Sequence, residues 1–264
     1  MSIADLFDHF LFDLDGCLYL RDQVIPAAPP TLAELRRLGK KILFVTNDPR
    51  STRDYYAGKL CGLGIEARTD EILSCGWATA KYLQEHHDLE DKTVFVVGSE
   101  GLKGEMRSVG LRVVEDGEAR RADFVVVGGH RDFDYREMML ANFALRNGAF
   151  FYTTNRDATY PTPEGPVPAT GAVLAGIEVA SGLTAISIGK PEPQMIEVAR
   201  SLLGPGRMVM VGDRLDSDIE GGVRAGIGTV LVLTGVTSRE DAAHSEWQPD
   251  FIVDDVGGLL GEPR

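Results

Sequence analysis

Short apolar runs recur from one end of the chain to the other: FLF at 10 to 12, ILFV at 42 to 45, VFVV at 94 to 97, FVVV at 124 to 127, FFY at 150 to 152, AISI at 185 to 188, MVMV at 208 to 211, TVLVL at 229 to 233 and FIV at 251 to 253. Runs this short, apolar throughout rather than alternating, read as strands buried on both faces. Helical patterns separate most of them. TLAELRRLG, for example, sets Leu32, Leu35 and Leu38 at helical spacing and stops at Gly39, which suits the position just past a helix end. Strand alternating with helix specifies an α/β fold with a mainly parallel sheet.

Four of the strand ends carry polar residues that a buried strand does not need: Asp13 after FLF, Thr46 with Asn47 after ILFV, Lys190 after AISIG, and Asp213 after MVMVG. In open α/β sheets the carboxyl ends of the strands form the ligand crevice, so residues up to 200 positions apart can converge there. Roughly a hundred residues with their own strands lie between the second and third of these ends, enough for a domain in themselves. We expect a Rossmann-like core from residues 1–87 and 184–264, carrying an inserted α/β domain at 88–183.

Charge and cysteine usage narrow the function. With 27 Lys plus Arg against 40 Asp plus Glu, the formal net charge is −13, which repels nucleic-acid phosphates and anionic membranes. Cys17, Cys61 and Cys75 are odd in number and have no C-x-x-C spacing, which argues against a disulfide framework or zinc ribbon and for a reducing cytoplasm. The opening MSIADLFDHF has no basic region or small-residue cleavage site, and no run approaches the roughly 18 apolar residues of a membrane span. Neither export nor a membrane span is expected.

The polar strand ends have bland readings when taken singly. D-L-D-G at 13 to 16 could close an Asx-type turn, or offer hard oxygen donors to Mg²⁺; an EF-hand is excluded because Gly16 falls at loop position 4 rather than 6. Thr46 and Asn47 could be ordinary turn chemistry or could hold phosphate oxygens. Lys190, followed by Pro191, is not a Walker A lysine. The run VGDRLDSDIEGG packs Asp213, Asp216, Asp218 and Glu220 behind a buried strand, a density of charge that calls for a cation, although Asp216 or Ser217 could cap the helix running to Gly226. His9, His86, His87, His130 and His244 show no ligand spacing, and VVGSEGLKG reads as a plain βα turn.

Taken together and in this order, D-x-D, Thr/Asn, Lys and G-D-x-x-x-x-D resemble the haloacid dehalogenase superfamily. The position of the insertion, TNRD at 154 to 157, P-A-T-G-A at 168 to 172 and G-K-P-E-P are similar to its NagD-like, p-nitrophenylphosphatase branch. The resemblance implies a Mg²⁺-dependent phosphatase acting on a small phosphorylated metabolite, with the insertion as a cap and a homodimer as a common assembly. Asp13 would be the nucleophile, forming an aspartyl-phosphate, and Asp15 the acid and base, its carbonyl facing the metal. Asp13, Asp15 and Asp213 would serve Mg²⁺, with Asp218 behind them through a water. Thr46, Asn47 and Lys190 would hold the phosphoryl group, and Asn155, Arg156, Asp157 and Arg50 would select the substrate. The rival readings are a phospho-acceptor signalling module, which uses similar groups in a shorter domain, and a catalytically silent binding protein on the same scaffold.

Overall fold

The computed structural model describes residues 1–162 and 164–262; Pro163 and the last two residues lie outside it. The chain forms two compact units, one from residues 1–46, 53–73 and 190–264, the other from 47–52 and 74–189. Every apolar run named above coincides at least in part with a strand.

The first unit is built on a six-stranded sheet. Its order is Phe251–Val253, Gly228–Val232, Met208–Gly212, His9–Asp13, Lys41–Thr46, Ile72–Ser74. His9–Asp13 pairs in parallel with the strands on both sides, which is why Phe10, Leu11 and Phe12 are all buried and the run shows no polar alternation. Phe10, Phe12 and Phe44 pack with Leu32, Leu35 and Leu60 from the helices Ala28–Arg37 and Arg53–Gly62. The first of these helices ends as its sequence specifies. Gly39 has φ +72, its N–H donates to Arg36 O, and Lys40 N–H donates to Leu35 O, a Schellman closure that uses glycine's access to left-handed backbone.

The second unit holds a five-stranded parallel sheet in the order Ile186–Ser187, Phe150–Thr153, Phe124–Gly129, Thr93–Gly98, Arg112–Val113. Its core includes Val97, Val125, Val127, Leu145, Leu174 and Ile177. Ser99 caps the helix Glu100–Ser108 by accepting from Leu102 N–H, so VVGSEGLKG is a βα turn. Helix Cys75–His86 belongs to this unit rather than to the core segment 1–87 expected from sequence, because it packs on helix Glu100–Ser108. Thr159–Thr162 and Gly165–Pro168 pair as an antiparallel hairpin. Among the described residues, no helix is long and apolar enough to cross a membrane.

Candidate active site

Strands His9–Asp13 and Met208–Gly212 run side by side, in register from His9 opposite Met208 to Phe12 opposite Val211. Asp13 and Asp213 therefore leave the sheet at the same end. On the other flank Asp13 lies opposite Val45, and the next residue, Thr46, is buried at that same end. The order of the sheet reverses here: the strands that follow Asp13 in sequence lie to one side, and those from Met208 onward to the other. Such a reversal opens a crevice at the carboxyl ends of the strands.

Four of the expected residues converge in it. Lys190 donates from Nζ to Asp13 Oδ1 at 2.5 Å and to Asp218 Oδ1 at 2.7 Å. One oxygen from each of Asp13, Asp213 and Asp218 lies within 4.8 Å of the others, the one such grouping of potential metal ligands among the described residues. Asp218 Oδ2 accepts from Arg214 N–H at 3.1 Å, so both of its oxygens are engaged. Asp213 Oδ2 accepts from Val236 N–H at 2.7 Å, whereas its Oδ1 is buried with no hydrogen-bond partner. A buried, partnerless carboxylate oxygen in a group with surplus negative charge fits a hard divalent cation such as Mg²⁺.

Glycines make this crowding possible. A Cβ at Gly16, where φ is +90, would lie 2.5 Å from the Asp213 carboxylate. At Gly235 it would lie 2.0 Å from Asp213 Oδ2, and at Gly212 2.2 Å from the Asp218 carboxylate. The chain can bring its backbone against these carboxylates only where it has no side chain.

Burial and mutual repulsion set the electrostatics. Desolvation, with the charges of Asp218 and Asp213, outweighs the pull of Lys190 and pushes the Asp13 pKa up to about 7. Burial and the Asp218 charge push Asp213 up to about 6, while the two carboxylates beside it hold Lys190 protonated, above its ordinary value despite burial. A carboxyl group whose pKa is raised on folding stabilises the fold while protonated. That contribution is complete below the unfolded value near 4 and is lost as pH rises through the folded values of about 6 and 7. The metal-free protein should therefore lose stability between about pH 4 and 7, and the increase in Tm on adding Mg²⁺ should grow over that interval. Thermal melts with EDTA and with Mg²⁺ from pH 5 to 8 check this; a Mg²⁺ increment that stays flat or shrinks with pH contradicts it.

The other expected residues have contacts of their own. Asp15 is exposed, and its Oδ1 accepts from Arg21 N–H at 3.3 Å. The strand ends at Asp13, and Asp15 forms an isolated bridge with Tyr19 in the turn that follows. Asp216 does not cap a helix; it pairs with Arg214 at the surface. Asn47 belongs to the second unit, where its Nδ2 donates to Asp157 Oδ2 at 3.2 Å. Asn155 donates to Asn47 O at 2.7 Å and accepts from Asp157 N–H at 3.0 Å, closing a partly buried network of three expected residues. Arg156 ties its loop to Glu178 and to Ala185 O, an anchoring arrangement. Arg50 forms a fork with Asp48 and lies 4.0 Å over the Tyr160 ring. Thr234 and Val236 belong to no motif named above; their one mark in the sequence is a T-G dipeptide straight after the buried run TVLVL.

Comparison with known proteins places these features in a family. The haloacid dehalogenase-like hydrolase profile matches residues 10–112, and a second HAD-hydrolase-like profile matches residues 187–259. The chain is 34% identical to an acid sugar phosphatase of Staphylococcus epidermidis, over 96% of either sequence. Among solved structures it is similar to a glycerol phosphate phosphatase from Mycobacterium tuberculosis in complex with magnesium, with a TM-score of 0.91 and 35% identity over 99% of this chain and 79% of that one. A 4-nitrophenylphosphatase from Thermotoga maritima superposes with a TM-score of 0.90, at 33% identity over 98% of each chain.

Proposed function

The chain belongs to the haloacid dehalogenase-like hydrolases, and from that premise we propose that it hydrolyses a small phosphorylated metabolite with Mg²⁺ as cofactor and an aspartyl-phosphate as intermediate. It is a phosphoric monoester hydrolase. The observation that carries the finer reading is the meeting of Asp13, Lys190, Asp213 and Asp218 in one buried cluster.

Asp13 and Asp213, with the Asp15 carbonyl, would hold Mg²⁺, and Asp218 would stand behind them. The cation supplies charge to offset the repulsion between carboxylate and phosphate dianion. An Asp13 oxygen forms the new bond to phosphorus while the bond to the ester oxygen breaks. Lys190, already held against Asp13, places a fixed positive charge where the phosphoryl oxygens gather, and the Thr46 hydroxyl adds a donor at the neighbouring strand end. Asp15 gives its proton to the departing oxygen, then takes one from the water that cleaves the acyl-phosphate and frees inorganic phosphate. For this its side chain must leave Arg21 N–H, a bond that the exposed turn can exchange for water. We take the inserted unit as the cap, with Asn155, Asp157 and Arg50 as candidates for substrate selection.

A phospho-acceptor module would label once and stop, and a silent binding protein would not react at all. Turnover of p-nitrophenyl phosphate with Mg²⁺ separates both from an enzyme. We expect many turnovers per chain, falling at least a hundredfold in EDTA and returning when Mg²⁺ is restored. Full activity in EDTA would remove the metal from the mechanism.

A further inference from the structure

The structure assigns Thr234 a positioning role: its hydroxyl latches the D-L-D-G turn to the loop that orients Asp213, so that the two segments reach Mg²⁺ in register. The inference rests on the metal site proposed above. Thr234 Oγ1 donates to Gly16 O at 2.5 Å, joining residues 218 positions apart. Two residues on, Val236 N–H donates to Asp213 Oδ2. One short loop thus grips both segments that bring oxygens to the site. Gly235 lies between the two grips, against Asp213, where no side chain fits.

The grip on Gly16 bears on the Asp15 carbonyl. Gly16 N–H donates to Tyr19 O at 2.8 Å, which fixes the Asp15–Gly16 peptide plane, and in a planar trans peptide the carbonyl points opposite to the N–H. Thr234 fixes the next peptide by holding its carbonyl. With both planes set, the Asp15 carbonyl is aimed before any cation arrives. Asp213 is aimed from the same loop, with its partnerless Oδ1 left to bind. Outer partners of this kind raise metal affinity by holding ligands in their bound orientation, and their loss typically costs 10–100-fold.

The test is a Mg²⁺ titration read by Tm, without substrate, on wild type, Thr234→Val and Thr234→Ser. Thr234→Val keeps shape but loses the donor. It should raise the apparent Mg²⁺ constant about tenfold, both in the thermal titration and in kcat, while KM for p-nitrophenyl phosphate at saturating Mg²⁺ stays within about twofold. Thr234→Ser restores the hydroxyl and should bind Mg²⁺ within about twofold of wild type. If Thr234→Val does not fold, Thr234→Ala serves as the variant without the donor. A folded variant lacking the hydroxyl that binds Mg²⁺ as wild type does would overturn the latch and leave the metal site standing, and so would a serine variant as impaired as valine. Wild type with no thermal response to Mg²⁺ would instead remove the metal site, and the latch with it.

Discussion

Asp13→Asn should lower the rate of p-nitrophenyl phosphate hydrolysis at saturating Mg²⁺ by at least about 10³-fold, the scale on which a nucleophile's removal is felt. An amide of nearly the same shape keeps the packing at the end of His9–Asp13 but cannot form the acyl-phosphate. The fold should persist and in EDTA should gain stability. Asp13 is one of three crowded carboxylates, its pKa is pushed up to about 7, and its loss leaves Lys190 still bonded to Asp218. The wild-type penalty grows as pH rises toward that value, so the advantage of the variant in Tm should be larger at pH 8 than at pH 5. Acid quench of wild type during turnover should trap phosphoprotein, and the variant should give none. Activity within tenfold of wild type in a folded Asp13→Asn protein would exclude Asp13 as the nucleophile.

Lys190→Met should act on both rate and stability. Methionine keeps much of the apolar stem but removes the ammonium that bridges Asp13 and Asp218. Breaking a buried ion pair by deleting one partner costs about 3–5 kcal/mol, because the other charge is left without compensation. At roughly 2–4 °C per kcal/mol for a domain of this size, Tm should drop by about 10 °C at neutral pH. The deficit should shrink at pH 5, where Asp13 and Asp213 take up protons, and should shrink on adding Mg²⁺, which supplies the missing charge. The rate should fall about 10²–10³-fold, the effect of removing one preorganised charge from the transferring group. Melting points and initial rates across pH measure both. A variant that melts within 2 °C of wild type at every pH and keeps a tenth of its rate would assign Lys190 to the surroundings of the site.

Much of this site is legible before folding, and the physical reason is the same for each residue. Asp13, Thr46 and Asp213 are polar groups set at the ends of runs that are otherwise entirely buried, and a chain does not place charge there without a partner. The order of the six-stranded sheet then brings those three ends together, whereas Lys190 comes after Ile186–Ser187, a strand of the five-stranded sheet. What is not legible depends on contacts far apart in sequence. Nothing in VG or TG tells that Gly212 and Gly235 face carboxylates 6 and 22 positions away from them, or that Gly16 and Thr234 meet; only the register of three neighbouring strands decides it. Asn47 follows Thr46 directly, yet it enters a network with Asn155 and Asp157. Ile72–Ser74 is too short to stand out as a strand, and the hairpin at Thr159–Thr162 and Gly165–Pro168 is hidden by Pro166 and Pro168, which give no N–H to a ladder.

The interleaved order of the sheet also has a consequence for synthesis. His9–Asp13 leaves the ribosome about 200 residues ahead of its neighbour Met208–Gly212. At 5–20 residues per second, the central strand waits roughly ten to forty seconds with one edge open. That edge is an apolar strand with unpaired backbone groups, a template for pairing with another chain. The inserted unit, complete by Gly189, can fold during this wait, while Asp13 stays apart from Asp213 and Asp218 until those two residues have been made. Chains released early, after the inserted unit but before Met208, would carry an unfinished sheet and no assembled cluster, so the cell would meet them as substrates for chaperones and proteases rather than as weak enzymes.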